Sequence, residues 1–236
     1  MKRAIVTGGT KGIGLGIAEM LLTEGYEVTI TYAHDEDAAN KCAERLTGIF
    51  EIVKADQSDK VAMNAFYQRM LSYPSIDCVV FNAGTTLRKP LKEITEEDWE
   101  MVMQINVNSN VYLLRDLMPK IPNGSRIIFI GSMMAIHPHG TSLAYGVTKS
   151  AVHALTKNLV KVFEGTGTTV NCIAPGFVET EWQKEKPEQI KQNICRKTAN
   201  GRFATVKEIA DAVRFCINNA FVNGSIIEVS GGYSYK

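Results

Sequence analysis

Residues 4–21, AIVTGGTKGIGLGIAEML, set three local structures end to end. Ala4-Ile5-Val6-Thr7 is a short apolar run that reads as a strand, and Ile13, Ile17, Met20 and Leu21 recur at helical spacing behind it. Between them lies a turn carrying Gly8, Gly9, Gly12 and Gly14. Glycines permit positive φ and close backbone approach, and a helix amino terminus offers free N–H groups to a phosphate. The spacing is G-x-x-x-G-x-G, not the G-x-G-x-x-G of the standard dinucleotide fingerprint, so the turn is a variant of that motif.

The chain beyond it repeats the strand-then-helix alternation. Gly25 closes the first helix and Tyr26–Tyr32 gives a second strand, followed by a polar helix from about Glu36 to Leu46 and a strand over Phe50–Ala55. Asp56-Gln57-Ser58 ends that strand, where Asp56 suits either an adenine amino group or the cap of the next helix, around Val61 to Leu71. Cys78–Phe81 is a buried strand stopped by Asn82-Ala83-Gly84, small residues that again suit close approach by a ligand. Thr95-Glu96-Glu97-Asp98 starts a long helix reaching about Leu117, with Asn106 and Asn108 as buried amides that must find partners. Arg126–Ile130, Thr169–Ala174 ending at Pro175-Gly176, and Ser225–Val229 complete the strands; Thr205–Glu208 is a second capping box. Residues 177–200 turn polar and charged around an isolated Trp182 and read as a helical lid. With no repeat or linker, the expected architecture is a single α/β domain over residues 1–236, a doubly wound parallel sheet with helices on both faces.

Chemistry concentrates after the strand Arg126–Ile130. Ser132 falls just past its carboxyl end, where ligands of open α/β sheets bind. Helical periodicity begins near Ala144, which places Tyr145 and Lys149 one turn apart on one face. A free tyrosine, with a pKa of about 10, is a poor acid near neutrality, and an adjacent cation favours the phenolate. Lys149 is expected to lower the Tyr145 pKa, Ser132 to hydrogen-bond a substrate oxygen, and Tyr145 to pass that oxygen a proton. At the second strand's end, an acid that would meet a ribose 2′-hydroxyl is replaced by Tyr32 and Ala33, with acids only from Asp35 onward. Together with Lys11 this favours a 2′-phosphate, hence NADP(H). If Lys11 is only solvated and Asp35 reaches back, NAD(H) is possible.

The formal net charge of +1 provides no general attraction to nucleic acid or membrane, and no run approaches the ~18 apolar residues of a membrane span. A strand pattern at the amino terminus leaves no room for a signal peptide. Cys42, Cys78, Cys172, Cys195 and Cys216 are odd in number and widely spaced, as expected of reduced thiols in a cytoplasm, with Cys78 and Cys172 as buried fillers. His137-x-His139 lacks a third ligand cluster, so no metal is expected. The charged run Arg88 to Lys92 reads as a solvated loop.

Over essentially its whole length the sequence resembles the short-chain dehydrogenase/reductases, a family of Rossmann-like enzymes. The residues that carry the resemblance are Thr7, Gly8, Thr10, Lys11, Gly12, Ile13 and Gly14, then Asn82-Ala83-Gly84, Asn106, Ser132, Tyr145 with Lys149, and Pro175-Gly176 with Thr180. The resemblance implies a catalytic set in which Tyr145 is the acid/base, Lys149 lowers its pKa and binds the nicotinamide ribose, Ser132 polarises the carbonyl, and Asn106 holds a water. It implies that Thr180 and the backbone of Val178 meet the carboxamide, that Tyr32, Asp56 and Gln57 line the cofactor site, and that homotetramers form through the helices bearing Asn106 and Tyr145. Within the family, Thr31-Tyr32-Ala33, Asn171–Gly176 and Gly201–Ala204 are most like the 3-oxoacyl-[acyl-carrier-protein] reductases. An acidic carrier would need a basic rim, for which Arg88, Lys89, Lys92 and Lys120 are candidates by charge. Sugar, polyol or secondary-alcohol oxidation, and a cofactor-binding regulator without activity, are the alternatives. Met133–His137 after the serine and a shortened segment before Ser225 depart from the family pattern.

Overall fold

The computed structural model describes residues 1–138, 142–233 and 235. Strands and helices alternate as β1 (Arg3–Val6), α1 (Gly12–Thr23), β2 (Glu27–Tyr32), α2 (Glu36–Arg45), β3 (Phe50–Lys54), α3 (Lys60–Met70), β4 (Cys78–Phe81), α4 (Glu96–Met103) and α5 (Ser109–Leu117). The second half continues with β5 (Arg126–Ile130), α6 (Leu143–Val162), β6 (Thr169–Pro175), α7 (Glu181–Lys184), α8 (Glu188–Lys197), α9 (Val206–Asn218) and β7 (Ile226–Val229). One seven-stranded sheet results, in the order β3-β2-β1-β4-β5-β6-β7 with every pairing parallel. Chain order reverses between β1 and β4, and that switch point is where ligands of such sheets sit.

Parallel strands covered on both faces are buried throughout, so they read as unbroken apolar runs rather than as alternation. In β5, Ile128 and Ile130 face a core shared with α1 and α9, while Ile127 and Phe129 face the opposite core built with α3, α5 and α6. Phe129 stacks on Phe81 of β4 at 4.7 Å between centroids, worth about 0.5–1.5 kcal/mol beyond its buried area. Both capping boxes form, Thr95 with Asp98 and Thr205 with Glu208.

The long helix expected from Thr95 to about Leu117 is not uniform. A π segment, Gln104–Asn108, separates α4 from α5. The wider turn frees backbone carbonyls, and side chains take them: Gln57 Nε2 and Ser109 Oγ donate to Ile105 O, and Asn110 Nδ2 to Asn106 O. The extra residue advances the helix face, so Asn106 and Asn110 are the buried amides while Asn108 is only half-buried. Such bulges gather at functional sites.

Candidate active site

Ser132 leaves β5 in extended conformation, and its Oγ accepts the Met134 N–H at 3.1 Å. Across from it, Tyr145 on the first turn of α6 is hydrogen-bonded through its side chain to Ser132. Lys149, one turn on, lies with its ammonium 5.7 Å from the Tyr145 ring centre and donates to Ile130 O at 2.7 Å. All three line one cavity of about 610 Å³.

The electrostatics differ from expectation. Burial raises the Tyr145 pKa above its ordinary value, the hydrogen bond from Ser132 offsets part of this, and no effect of Lys149 contributes. Burial acts on the lysine too and depresses it to about 8, with its ammonium engaged by Ile130 O. Behind it on the same helix face stands His153, whose buried Nε2 has no partner and whose pKa burial and the two neighbouring lysines, Lys149 and Lys157, push down to about 4.

Asn106 does not line the cavity. Its Oδ1 accepts Thr85 N–H at 2.8 Å, and its Nδ2 donates to Thr85 O and Thr148 Oγ1, each at 2.9 Å. Both amide protons are therefore engaged in tying the loop after β4 to α6, rather than offered to a water. Gln57 lines the cavity but spends its amide on the π segment, donating to Ile105 O, to Ser109 Oγ and to Asn110 Oδ1. Sequence reasoning placed Gln57 against a cofactor and missed this clasp. Its signal was a glutamine at a strand end facing a helix with four small polar residues in five, Asn106, Asn108, Ser109 and Asn110.

The glycine turn ends the same cavity, lined by Gly8, Thr10, Lys11, Gly12, Ile13 and Gly14. Thr7 sits behind it: its Oγ1 accepts the N–H groups of Asn82 and Ala83, each at 3.0 Å, while Asn82 Nδ2 donates to the carbonyls of Thr7 and Gly8, each at 2.9 Å. A Cβ on Gly14 would lie 2.5 Å from Asn82 Nδ2 and from Gly8 O, so only glycine fits there, and Gly12 has φ +55°. No side chain caps α1 at Lys11. Free first-turn N–H groups beside a tight glycine cradle suit the pyrophosphate of a dinucleotide. Tyr32, Asp56, Ala83, Gly84, Pro175, Gly176, Val178 and Thr180 also line it.

At the far end Lys11 is neither free nor merely solvated. Its ammonium meets Asp35 Oδ2 at 2.5 Å, and Asp35 also caps α2 through Ala38 N–H; the lysine holds the Asp35 carboxyl below its ordinary range. Asp56 does not cap α3. Asp59 does, through Val61 and Ala62, while Asp56 accepts Ser58 N–H and meets His34 at 3.0 Å. His137 pairs with Glu228 at 3.2 Å, and His139 lies outside the described residues. All five cysteines are free, Cys78 and Cys172 buried among them.

A family model described as Enoyl-(Acyl carrier protein) reductase matches residues 8–234. The chain is 31% identical to the 3-oxoacyl-[acyl-carrier-protein] reductase FabG of Aquifex aeolicus, over 98% of this chain and 96% of that one. This chain belongs to the short-chain dehydrogenase/reductase family. Its fold superimposes on a short-chain dehydrogenase/reductase from Serratia marcescens with TM-score 0.93 at 30% identity, covering 99% and 98% of the two chains. A blue fluorescent protein from a metagenomic library, solved in complex with NADPH, gives 0.91 at 28% identity over 99% of this chain and 98% of that one. As a member of this family the chain is an oxidoreductase. No helix among the described residues is long and apolar enough to cross a membrane.

Proposed function

We propose that the chain reduces a ketone carbonyl with NADPH, the substrate being a 3-oxoacyl thioester and the product its 3-hydroxy counterpart. The observation that carries this reading is the Ser132–Tyr145 hydrogen bond beside Lys149, in a cavity that runs back to the glycine turn. The nicotinamide, when bound, supplies the hydride. Ser132 then orients the carbonyl oxygen, and the Tyr145 hydroxyl gives that oxygen its proton as charge develops there, a role worth about 10²- to 10⁴-fold. A phenol kept protonated by burial is an acid ready to donate. Lys149 stabilises the phenolate left behind, and Asn106 acts by holding Thr85 and Thr148 in place. Gly8 to Gly14 with the open end of α1 would hold the pyrophosphate, Asn82 to Gly84 the adjoining ribose, and Val178 and Thr180 the carboxamide. Residues 177–200, with α7 and α8, would close over the substrate as a lid.

The name of the Aquifex relative supports the thioester, and the NADPH complex of the structural neighbour supports the cofactor. One observation favours a second reading, an NAD-dependent sugar, polyol or secondary-alcohol dehydrogenase: Asp35 already occupies Lys11, the cation meant for a 2′-phosphate. Exposed apolar side chains on α4, α5 and α6, among them Trp99, Tyr112 and Val147, would be covered in a homotetramer. The test is oxidation of NADPH and NADH by acetoacetyl thioester beside a panel of alcohols. The reading fails if no thioester concentration oxidises either cofactor.

A further inference from the structure

The cavity has walls that neither the cofactor assignment nor the catalytic set uses. Arg88 lines it from the loop between β4 and α4, Met101 from α4, and Trp182 and Gln183 from α7. Lys186, just past α7, is half-buried and donates to the carbonyl of the lining residue Trp182 at 3.4 Å. The two cations come from different segments, the loop after β4 and the turn after α7. The Arg88 guanidinium is close enough that, after burial, it is the other cause holding the Lys186 pKa below the ordinary lysine range.

Neither cation has an acidic partner among the described residues. The neighbouring charges are engaged elsewhere: Lys89 with Asp98 at 2.5 Å, and Lys184 with Glu181 at 2.5 Å. Two like charges brought together beside a partly dry cavity repel, and a fold gains nothing from that arrangement alone. An anion between them would turn repulsion into two charge-assisted hydrogen bonds, with arginine suited to a planar or tetrahedral oxyanion. Gln183 adds a buried Oε1 that has no partner and can accept an N–H from the same ligand.

We propose that Arg88 and Lys186 form an anion subsite at the mouth of the cavity, holding a phosphate or carboxylate that the substrate carries away from its reacting carbonyl. This rests on the carbonyl-reductase reading for the identity of the ligand as substrate, and it narrows the substrate class to anionic molecules. Lys89, Lys92 and Lys120 have no part in it.

Titration calorimetry on the full chain compares pantetheine 4′-phosphate with pantetheine, and glutarate with glutaramide, at low salt. The charged member of at least one pair is expected to bind about tenfold tighter than its neutral partner. The pair that discriminates names the source, phosphate or carboxylate. In the Arg88→Ala/Lys186→Ala protein the discrimination should fall to within about twofold, whereas Arg88→Lys/Lys186→Arg should retain most of it. Equal binding within both pairs, no measurable binding of either charged member, or discrimination that survives the double alanine change overturns the subsite. Turnover of acetoacetyl thioester is measured separately. Turnover without discrimination sinks only the subsite, and discrimination without turnover sinks only the reductase assignment.

Discussion

Asp35→Asn isolates the charge that stands between Lys11 and a 2′-phosphate. Asparagine caps a helix as well as aspartate does, so the Ala38 N–H keeps its acceptor and α2 keeps its start. What changes is the 2.5 Å ion pair, whose side chains are 48% and 45% exposed. A pair that open contributes about 0.2–1 kcal/mol, and NADPH must break it before Lys11 can turn to the phosphate. Removing the carboxylate also removes its repulsion of that phosphate, up to about 1 kcal/mol at contact distances in water. The sum, up to about 2 kcal/mol, is a gain of up to roughly thirtyfold in NADPH affinity. NADH, which has a hydroxyl there, should change by less than about threefold, since it loses only an exposed acceptor. Fluorescence titration of both cofactors at low and high ionic strength reads this out, and the NADPH gain should shrink as salt rises. An NADPH affinity that is unchanged or weaker in Asp35→Asn would show that Lys11 does not serve the 2′-phosphate.

Lys149→Met should raise the melting temperature at pH 7 while abolishing turnover. A lysine held at about 8 costs the fold about 3 kcal/mol when protonated. The unfolded chain binds the extra proton between the folded and unfolded pKa values, so this cost disappears as pH rises from about 8 towards 10.5, and the thermal advantage of the variant should vanish over that window. His153 works at the other end: folded at about 4 against an ordinary 6.5, it contributes stability that is intact above 6.5 and lost as pH falls towards 4. His153→Leu should flatten that acid loss, followed by thermal melts across the range. Asn106→Ala strands the buried ends of the loop after β4, so a stability loss of about 2–4 kcal/mol is expected in urea, together with slower turnover at unchanged NADPH affinity.

Much of the fold could be read from the chain because its rules are local. β4 and β5 are continuous apolar runs, and Thr95 and Thr205 sit three residues before acids, so these elements fall within a residue or two of their expected bounds. The four-residue interval from Tyr145 to Lys149 likewise translates directly into one helix face. Other features depend on partners far along the chain, and periodicity carries no signal for them. Of the two expected buried amides, Asn106 is buried and Asn108 only half-buried, because a π segment breaks the helix there and Gln57, far upstream, takes one of its carbonyls. Asp56 lost the cap to Asp59 because the chain makes another turn before α3 begins. The pKa of Tyr145 moved up rather than down because spacing says where Lys149 stands but not how dry the site is. The same dryness acts on both groups, disfavouring the phenolate and the ammonium alike.

The reductase reading rests on Tyr145 giving a proton to a carbonyl reduced in this cavity. Single-turnover oxidation of bound NADPH by acetoacetyl thioester, compared between the native chain and Tyr145→Phe, tests it most directly. The phenylalanine variant should bind NADPH with unchanged affinity and react at least about 100-fold more slowly; a Tyr145→Phe protein that oxidises NADPH at the native rate would contradict the account.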